Sequence, residues 1–310
     1  NLTLTVGNAL KVFLAEHVVP EIDRLRIAKL AQAALSYGKV TAQASNGITA
    51  SNILGLLLDD IAAVQDRIGE GEQLYIQIST KLKSLLEQSQ QITRYLNVKD
   101  FTIRSVNMKV EALNDQYLIG TPSSYMNSVV GLRDGVTSGQ TVGGVEFTNL
   151  GPAVNWIISA RPVADAVARP QITKVIDPDV NQEGEFWKIM FSVYHGMWTM
   201  DQKADGVLVN MDTTLAALTV TSVAGTVTAG DSVITVAQQV PDGMKLLWKA
   251  ASGTAPAVAF GTALTAANGW AELPAGGLIS TTNGYKISVA LAAANGLPVA
   301  AGNTTVVAKT

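Results

Sequence analysis

Apolar residues recur at helical spacing near the start of the chain. Between residues 8 and 36 they lie three to five positions apart, at Leu10, Leu14, Val18, Ile22, Leu25 and Leu30. This spacing predicts one long helix with a rise of about 1.5 Å per residue, and therefore a rod on the order of 40 Å. Pro20 removes one backbone donor, so we expect a kink there or a start of the regular helix near that point, and Gly38 is expected to follow the end of the helix.

Three shorter elements are predicted next. The apolar spacing over residues 53–68 indicates a second helix, with Ser51 as its cap and Gly69 at its end. Residues 74–78 form a short apolar run, which is typical of a buried strand. Ser79 is then expected to cap a third helix.

Apolar side chains alternate along residues 185–200, which predicts a strand. One face consists of Trp187, Ile189, Phe191, Val193, His195 and Met197, and the other mixes Lys188, Ser192 and Tyr194 with Phe186, Met190 and Trp198. Both faces are apolar enough that we expect them to be covered, by sheet packing or by a neighbouring subunit. Residues 201–205 are predicted to turn and 206–210 to return as a strand, so residues 1–212 form an α+β region.

The last third of the chain has a different composition. Residues 213–310 contain only seven charged side chains, namely Lys245, Lys249, Lys286, Lys309, Asp231, Asp242 and Glu272. Short apolar runs rich in Thr, Val and Ala are separated by Gly, Asp and Asn, a pattern that favours an antiparallel sandwich or barrel. We therefore predict two domains, 1–212 and 213–310, and the second has the size of an Ig-like module.

Composition argues against several classes of protein. The 310 residues are 47% apolar and carry a net charge of −3, which argues against a disordered chain and against a polyanion binder. The chain has no cysteine and two histidines, His17 and His195, so a disulfide framework or a zinc site is not expected. The N-terminal residues lack the basic start of a signal peptide, and the uncharged stretch 287–308 is interrupted by Asn, Gly and Pro. We therefore expect a soluble chain.

No pattern of catalytic residues emerges, so no enzyme, cofactor or metal is predicted. The acidic segment 176–185 has the alternate spacing of a calcium loop, but Gln182 and Lys188 replace the glycine and glutamate that such a loop needs. It is better interpreted as a solvated loop. The glycines between residues 131 and 144 match neither a phosphate loop nor a dinucleotide fingerprint. A Ser–Lys or paired-carboxylate site stays open, because its partners need not be close in sequence.

Several blocks of the chain resemble the major capsid proteins of tailed phages with the HK97 fold. The segment HVVPEIDRLRIAKLAQAA (17–34) is similar to the start of their long spine helix. The segment NWIISARPVADAVARPQITKVIDPDVNQEGEFWKIMFSVYHGMWTMDQKADGVLV (155–209) is similar to their closing part: a strand and a helix, an acidic loop, then two long strands. Residues 51–98, ending in an ITRYLNV-like link, fit the same order.

The resemblance implies an HK97-like fold with a peripheral part (residues 8–36 and 185–210), an axial part (about 49–170) and an appended Ig-like β domain. It implies a virion subunit, made in the host cytoplasm, that self-assembles into the pentamers and hexamers of an icosahedral shell. Other phage structural proteins would be partners, and double-stranded DNA would be enclosed without sequence-specific binding, with no membrane involved. The charged residues Glu21, Asp23, Arg24 and Arg26 would then lie at subunit borders.

Two departures from the family leave alternatives open. Its members have an N-terminal arm and an extended hairpin before the spine helix, whereas only residues 1–7 precede it here, as in a processed, shortened or degenerate prophage product. The β domain is the second departure. An encapsulin-type shell shares the fold and encloses an enzyme cargo. A secreted or surface binding protein with an Ig-like adhesion module is the alternative from another class, followed by an enzyme that uses scattered carboxylates.

Overall fold

The computed structural model describes residues 2–89, 96–103, 106–136, 144–146, 150–169 and 172–309, and these have a mixed α+β fold. Part of the ITRYLNV-like link and the middle of the 131–144 glycine segment lie outside them. The helices are α1 (Leu2–Phe13), α2 (Val19–Ser36), α3 (Ile53–Ile68) and α4 (Thr80–Glu87). The strands that precede residue 212 are β1 (Val40–Ala42), β2 (Leu74–Ser79), β3 (Leu96–Ile103), β4 (Val106–Leu113), β5 (Gln116–Thr121), β6 (Gly131–Arg133), β7 (Gly144–Glu146), β8 (Val154–Ala160), β9 (Ala164–Ala168), β10 (Ile172–Ile176), β11 (Lys188–Ser192), β12 (His195–Thr199) and β13 (Val207–Met211).

The N-terminal helix is continuous from α1 to α2 through one π-helical turn, Leu14–Val18. Pro20 lacks an N–H and its ring would collide with the carbonyl four residues earlier, and the wider turn just before it relieves that conflict. The helix therefore begins at Leu2, earlier than the pattern predicted, and the irregularity lies on the N-terminal side of Pro20. Only the second half of α2 is buried, through Ile27, Ala28, Leu30, Ala31, Ala34 and Leu35.

A seven-stranded sheet in the order β1-β13-β8-β2-β5-β4-β3 forms the centre of the fold. The pairs β1–β13 and β2–β5 are parallel and the others antiparallel. Helix α3 ends at Gly69, as predicted, and the Ser79 hydroxyl caps α4 by accepting from the Leu82 N–H at 3.4 Å. Ser51 is not the cap of α3, which begins at Ile53, because the Ser51 hydroxyl bonds to that of Thr49 instead.

Asp60 of α3 is buried against this sheet and joins it to the helix. Its Oδ2 accepts hydrogen bonds from Trp156 Nε1 at 2.8 Å, Thr41 Oγ1 at 3.0 Å and Asn210 Nδ2 at 3.2 Å. Burial raises the pKa of this carboxyl, although the three donors act in the opposite direction. One carboxylate thus links α3 to the strands β1, β8 and β13.

A long hairpin, residues 164–199, extends from the sheet, and we call it the arm. Its two strands pair as β9 with β12 and β10 with β11, and the register shifts by one residue between the two pairs. The single strand predicted over 185–200 is therefore two strands, interrupted at 193–194. The helix that the resemblance implied after β8 is a single 3₁₀ turn, Arg161–Val163, because Pro162 begins a turn from which the chain continues directly as β9.

Residues beyond 212 form strands joined by turns, with one 3₁₀ turn at Ala266–Asn268. The strands are β14 (Ala216–Ala217), β15 (Val220–Ala224), β16 (Asp231–Val236), β17 (Met244–Ala251), β18 (Ala271–Glu272), β19 (Leu278–Ser280), β20 (Lys286–Ala293) and β21 (Pro298–Thr305). They make two sheets, β14-β21-β20-β17-β18 and β15-β16-β19. The all-β character agrees with the sequence pattern.

The two predicted domains share one hydrophobic core. Buried residues of the central sheet and of the C-terminal strands, such as Val209 and Ile287, belong to a single cluster. Strand β20 lies against α2, and Asn295 Nδ2 donates to the carbonyls of Leu35 at 2.7 Å and Ser36 at 3.2 Å. The C-terminal strands thus satisfy the last carbonyls of the long helix, while a domain division at residue 212 stays a prediction.

Candidate assembly surface

Large exposed apolar side chains are concentrated in the arm. Ten of them lie there: Val167, Ile172, Val175, Val180, Phe186, Trp187, Ile189, Met190, Tyr194 and Trp198. Contiguous exposed apolar surface of this kind marks sites of protein–protein contact. The arm is therefore the strongest candidate for a functional surface among the described residues.

One face of the arm, which we call the inner face, lies against the long helix. The Phe191 ring meets that of Phe13 edge to face at 6.2 Å between centroids. Nearer the base, the Thr199 hydroxyl lies 3.1 Å from that of Tyr37, and Met197 packs on the core. The arm is thus held by its own chain at Phe191 and at its base, while Val175 and Ile189 farther out on the same face are exposed.

The opposite face, which we call the outer face, is open. It carries alternate side chains that are all exposed: Asp165, Val167, Arg169, Ile172, Lys174, Met190, Tyr194 and Trp198. Tyr194, at the interruption between β11 and β12, is 67% exposed, and Trp198 of β12 is 61% exposed. A two-stranded ribbon is marginally stable by itself, so a cover over the outer face would stabilise the arm.

The Trp198 indole lies across Gly196 on the outer face. A Cβ atom at residue 196 would come 3.0 Å from the indole, so a side chain there would displace the ring by a few tenths of an ångström. Tryptophan is among the residues that most often dominate protein interfaces. The exposed Trp198 is therefore the candidate anchor of the outer face.

The acidic segment forms the tip of the arm, residues 177–187. Asp177 accepts from the Val180 N–H at 3.1 Å, and the Asn181 amide donates to the Phe186 carbonyl at 2.9 Å. Glu183 forms an ion pair with Lys188 at 2.5 Å. These side chains shape the turn itself. Across the described part of the chain, no group of three metal-binding side chains is present.

The four charged residues singled out in the sequence lie together on α2 but point in different directions. Glu21 is exposed, whereas the Arg24 guanidinium lies 5.6 Å from the centre of the Tyr125 ring. Asp23 and Arg26 line a cavity of about 440 Å³ between α2 and the ends of β2 and β5. Burial at its rim raises the pKa of Asp23, against the lowering effect of the Arg26 charge. Their role in subunit contacts stays a prediction, for which Glu21 and Asp23 are the exposed members of the group.

The two histidines differ in environment. His195 lies half-exposed on the inner face, with no hydrogen bond from its ring within the described residues. The arm has only two strands at this point, and no further strand covers the ring. His17 lies in the π-helical turn with its ring 5.6 Å from that of Phe13.

Sequence patterning identified one strand of the arm and missed the other. Residues 188–199 alternate clearly, whereas their partners in β9 and β10 are short and contain Ala and Thr. The exposed pairs on the outer face, such as Lys174 beside Met190, follow from a cross-strand register that no local pattern encodes. The one available signal was the apolar character of both faces of 185–200.

Comparison with known proteins gives no family. No family model matches the chain, and no curated protein matches it. Among solved structures, the chain is similar to domains 7, 8 and 9 of the S-layer protein SbsC, with 12% identity over 57% of this chain and 63% of that chain and a TM-score of 0.27. Domains 4–9 of the surface layer protein SbsC give 14% identity over 68% of this chain and 41% of that one, at a TM-score of 0.26. TM-scores this low show neither a shared fold nor a shared function. None of the helices in the described residues has the length and apolarity to span a membrane.

Proposed function

We propose that this chain is a structural subunit that assembles with copies of itself, as a tailed-phage or prophage major capsid protein of the HK97 type. The observation that carries the proposal is the open outer face of the arm, with its row of exposed apolar side chains. The sequence resemblance supplies the narrower form, in which pentamers and hexamers build an icosahedral shell.

The arm has the mechanical properties that an assembly element needs. Its base is fixed, because Val163 is buried and its carbonyl accepts from the Met200 N–H at 2.9 Å. Its inner face is held by the long helix through Phe13 and Tyr37. A fixed base with an open outer face presents one surface in a defined direction, and defined directions are what closed symmetric assemblies require.

The arrangement of elements supports the HK97-like interpretation. A long helix and an extended arm would form the peripheral part, and the seven-stranded sheet with α3 and α4 would form the axial part. The two-sheet C-terminal region would be the Ig-like module. In this interpretation each subunit edge makes modest contacts, whose energies add up over the shell.

The outer face can be tested with a matched pair of variants. Trp198→Ser combined with Tyr194→Ser removes two exposed aromatic side chains from the arm, and Val223→Ser with Val227→Ser removes two exposed apolar side chains elsewhere. We expect the first variant to remain monomeric under conditions where the second assembles, with Tm close to the unmodified value in both. Equal assembly of the two variants would contradict the proposal.

A further inference from the structure

We propose that the acidic tip of the arm in one copy binds the basic, apolar outer face of the arm in a second copy. This inference rests on the proposed function, because it names the contact through which copies would associate. The occupant of the outer face is therefore the tip of another identical chain.

The outer face carries positive charge among its apolar side chains. Arg169 and Lys174 are both exposed, and the Arg169 N–H donates to the Tyr194 carbonyl at 2.8 Å, which fixes the backbone there. Neither side chain forms an ion pair with any residue that the structure describes. Asp165 is exposed on the same face, directly across from Trp198, so among the described residues the outer face carries two cations and one carboxylate and has a net positive charge.

The tip carries the complementary charge. Asp177 and Glu183 are used within the loop, but Asp179 and Glu185 are exposed, and neither takes part in an ion pair within the described residues. Each is followed by an exposed apolar residue, Val180 after Asp179 and Phe186 after Glu185. The tip therefore combines exposed apolar side chains with negative charge, whereas the outer face combines them with net positive charge.

Each of the two candidate anchor rings lies over a glycine of its own strand or loop. The Phe186 ring lies over Gly184, where a Cβ atom would be 2.9 Å from it, just as Trp198 lies over Gly196. Apolar contact at the centre with charges of opposite sign around it is the usual organisation of a specific interface. Both halves of such an interface are present on this chain.

The partner that we assign to these charges is a second copy. Asp179 is ten positions from Arg169 and five from Lys174 along the hairpin. Within the described residues, neither Asp179 nor Glu185 forms an ion pair with either cation of its own arm. The tip of another chain can bring its carboxylates to the outer face without bending the arm back on itself.

Charge reversal followed by charge exchange tests the pairing. One variant carries Arg169→Glu and Lys174→Glu, a second carries Asp179→Lys and Glu185→Lys, and a third carries all four changes. Lys81→Glu with Lys203→Glu serves as the control, because both lysines are exposed and lie outside the arm. The readout is the protein concentration at which half of the chain has assembled, measured by light scattering, together with Tm.

We expect each double reversal to raise that concentration by roughly tenfold or more, and the fourfold variant to return it to within about threefold of the unmodified chain. Tm should be the same in all variants as in the unmodified chain, and the control variant should assemble at the same concentration as the unmodified chain. Double variants that assemble normally, or a fourfold variant that assembles no better than they do, would overturn the pairing while leaving self-assembly intact. An unmodified chain that stays monomeric at every concentration would overturn the proposed function as well.

Discussion

The arm and the C-terminal strands are both built from alternating apolar residues, yet they bury them very differently. Strand β20 is almost completely buried from Ile287 to Ala293, whereas β10 and β11 of the arm are mostly exposed. The C-terminal strands have a second sheet and the helix α2 to pack against. The arm has the long helix on one side only. Alternation therefore specifies a strand, and the presence of a second layer decides whether its apolar face is a core or an interface.

The arm and the C-terminal strands also differ in the number and placement of their charged residues. Residues 213–310 hold seven of the charged side chains, and the apolar groups of their central strand β20 are buried within the chain. The arm places Arg169 and Lys174 among its aromatic residues and puts acidic residues at its tip. Charged groups that frame an apolar surface are expected where that surface must dock in one orientation, because opposite charges set the register of the contact.

The largest difference is expected for matched truncations in the two regions. Ile287→Ala removes a fully buried side chain of β20 and should lower the free energy of unfolding by about 3 kcal/mol. Ile172→Ala, in the half-exposed arm, should lower it by less than about 0.5 kcal/mol. Urea unfolding of the two variants measures both values. Equal losses would mean that the arm is buried within the isolated chain.

A second, slightly smaller effect is expected in the core that the two regions share. Asp60→Ala leaves the donors of Trp156, Thr41 and Asn210 without their acceptor, which should cost about 2 kcal/mol. The matched variant Asp60→Asn keeps an acceptor and removes the charge, and urea unfolding compares the two. A loss of stability in Asp60→Asn as large as in Asp60→Ala would show that the charge, rather than the hydrogen bonds, is what matters.

The same residue gives a pH dependence with a definite sign. Burial raises the pKa of Asp60 in the folded chain, so the folded state binds this proton more tightly than the unfolded state does. The stability that this proton contributes is complete below the ordinary value of about 4 and is lost as the pH rises through the raised pKa. The stability of Asp60→Asn relative to the unmodified chain should therefore increase with pH across this window. A constant difference would contradict the assignment.

The smallest effect concerns the docking of the C-terminal strands on the helix. Asn295→Ala removes the donor to the Leu35 and Ser36 carbonyls and should cost about 1 kcal/mol. Asn303→Ala, at an exposed position of β21, is the control and should cost nearly nothing. An equal effect of the two changes in urea unfolding would show that the helix end does not depend on Asn295.

Local patterns predicted much of the fold. The long helix, α3, the strand at 74–79, α4 and the all-β C-terminal third follow from periodicity and end residues, because these features depend on neighbours in sequence. The features that define the candidate surface are non-local. The pairing of β9 with β12 and the contact of Asn295 with Leu35, 260 positions away, arise only when distant segments meet.

Charge patterning alone pointed to α2, and a role of its charged residues in subunit contacts stays a prediction. The cluster around Arg24 and Arg26 stood out because it is dense, but both side chains are half-buried against their own chain. Arg169 and Lys174 are isolated in the sequence and become neighbours of the aromatic residues only through the hairpin. Charge reversal at Arg24 would therefore disturb its contact with Tyr125, whereas Glu21 offers a test of the same helix face without that loss.

The central claim is that this chain assembles with itself, and its mass in solution tests that claim most directly. Light scattering over a series of concentrations, with negative-stain microscopy of any large species, separates a single chain of 32.5 kDa from an assembly. We predict rings of five or six subunits, or closed shells, as the concentration rises. A constant mass of one chain at every concentration, with no large particles in the microscope, would contradict it.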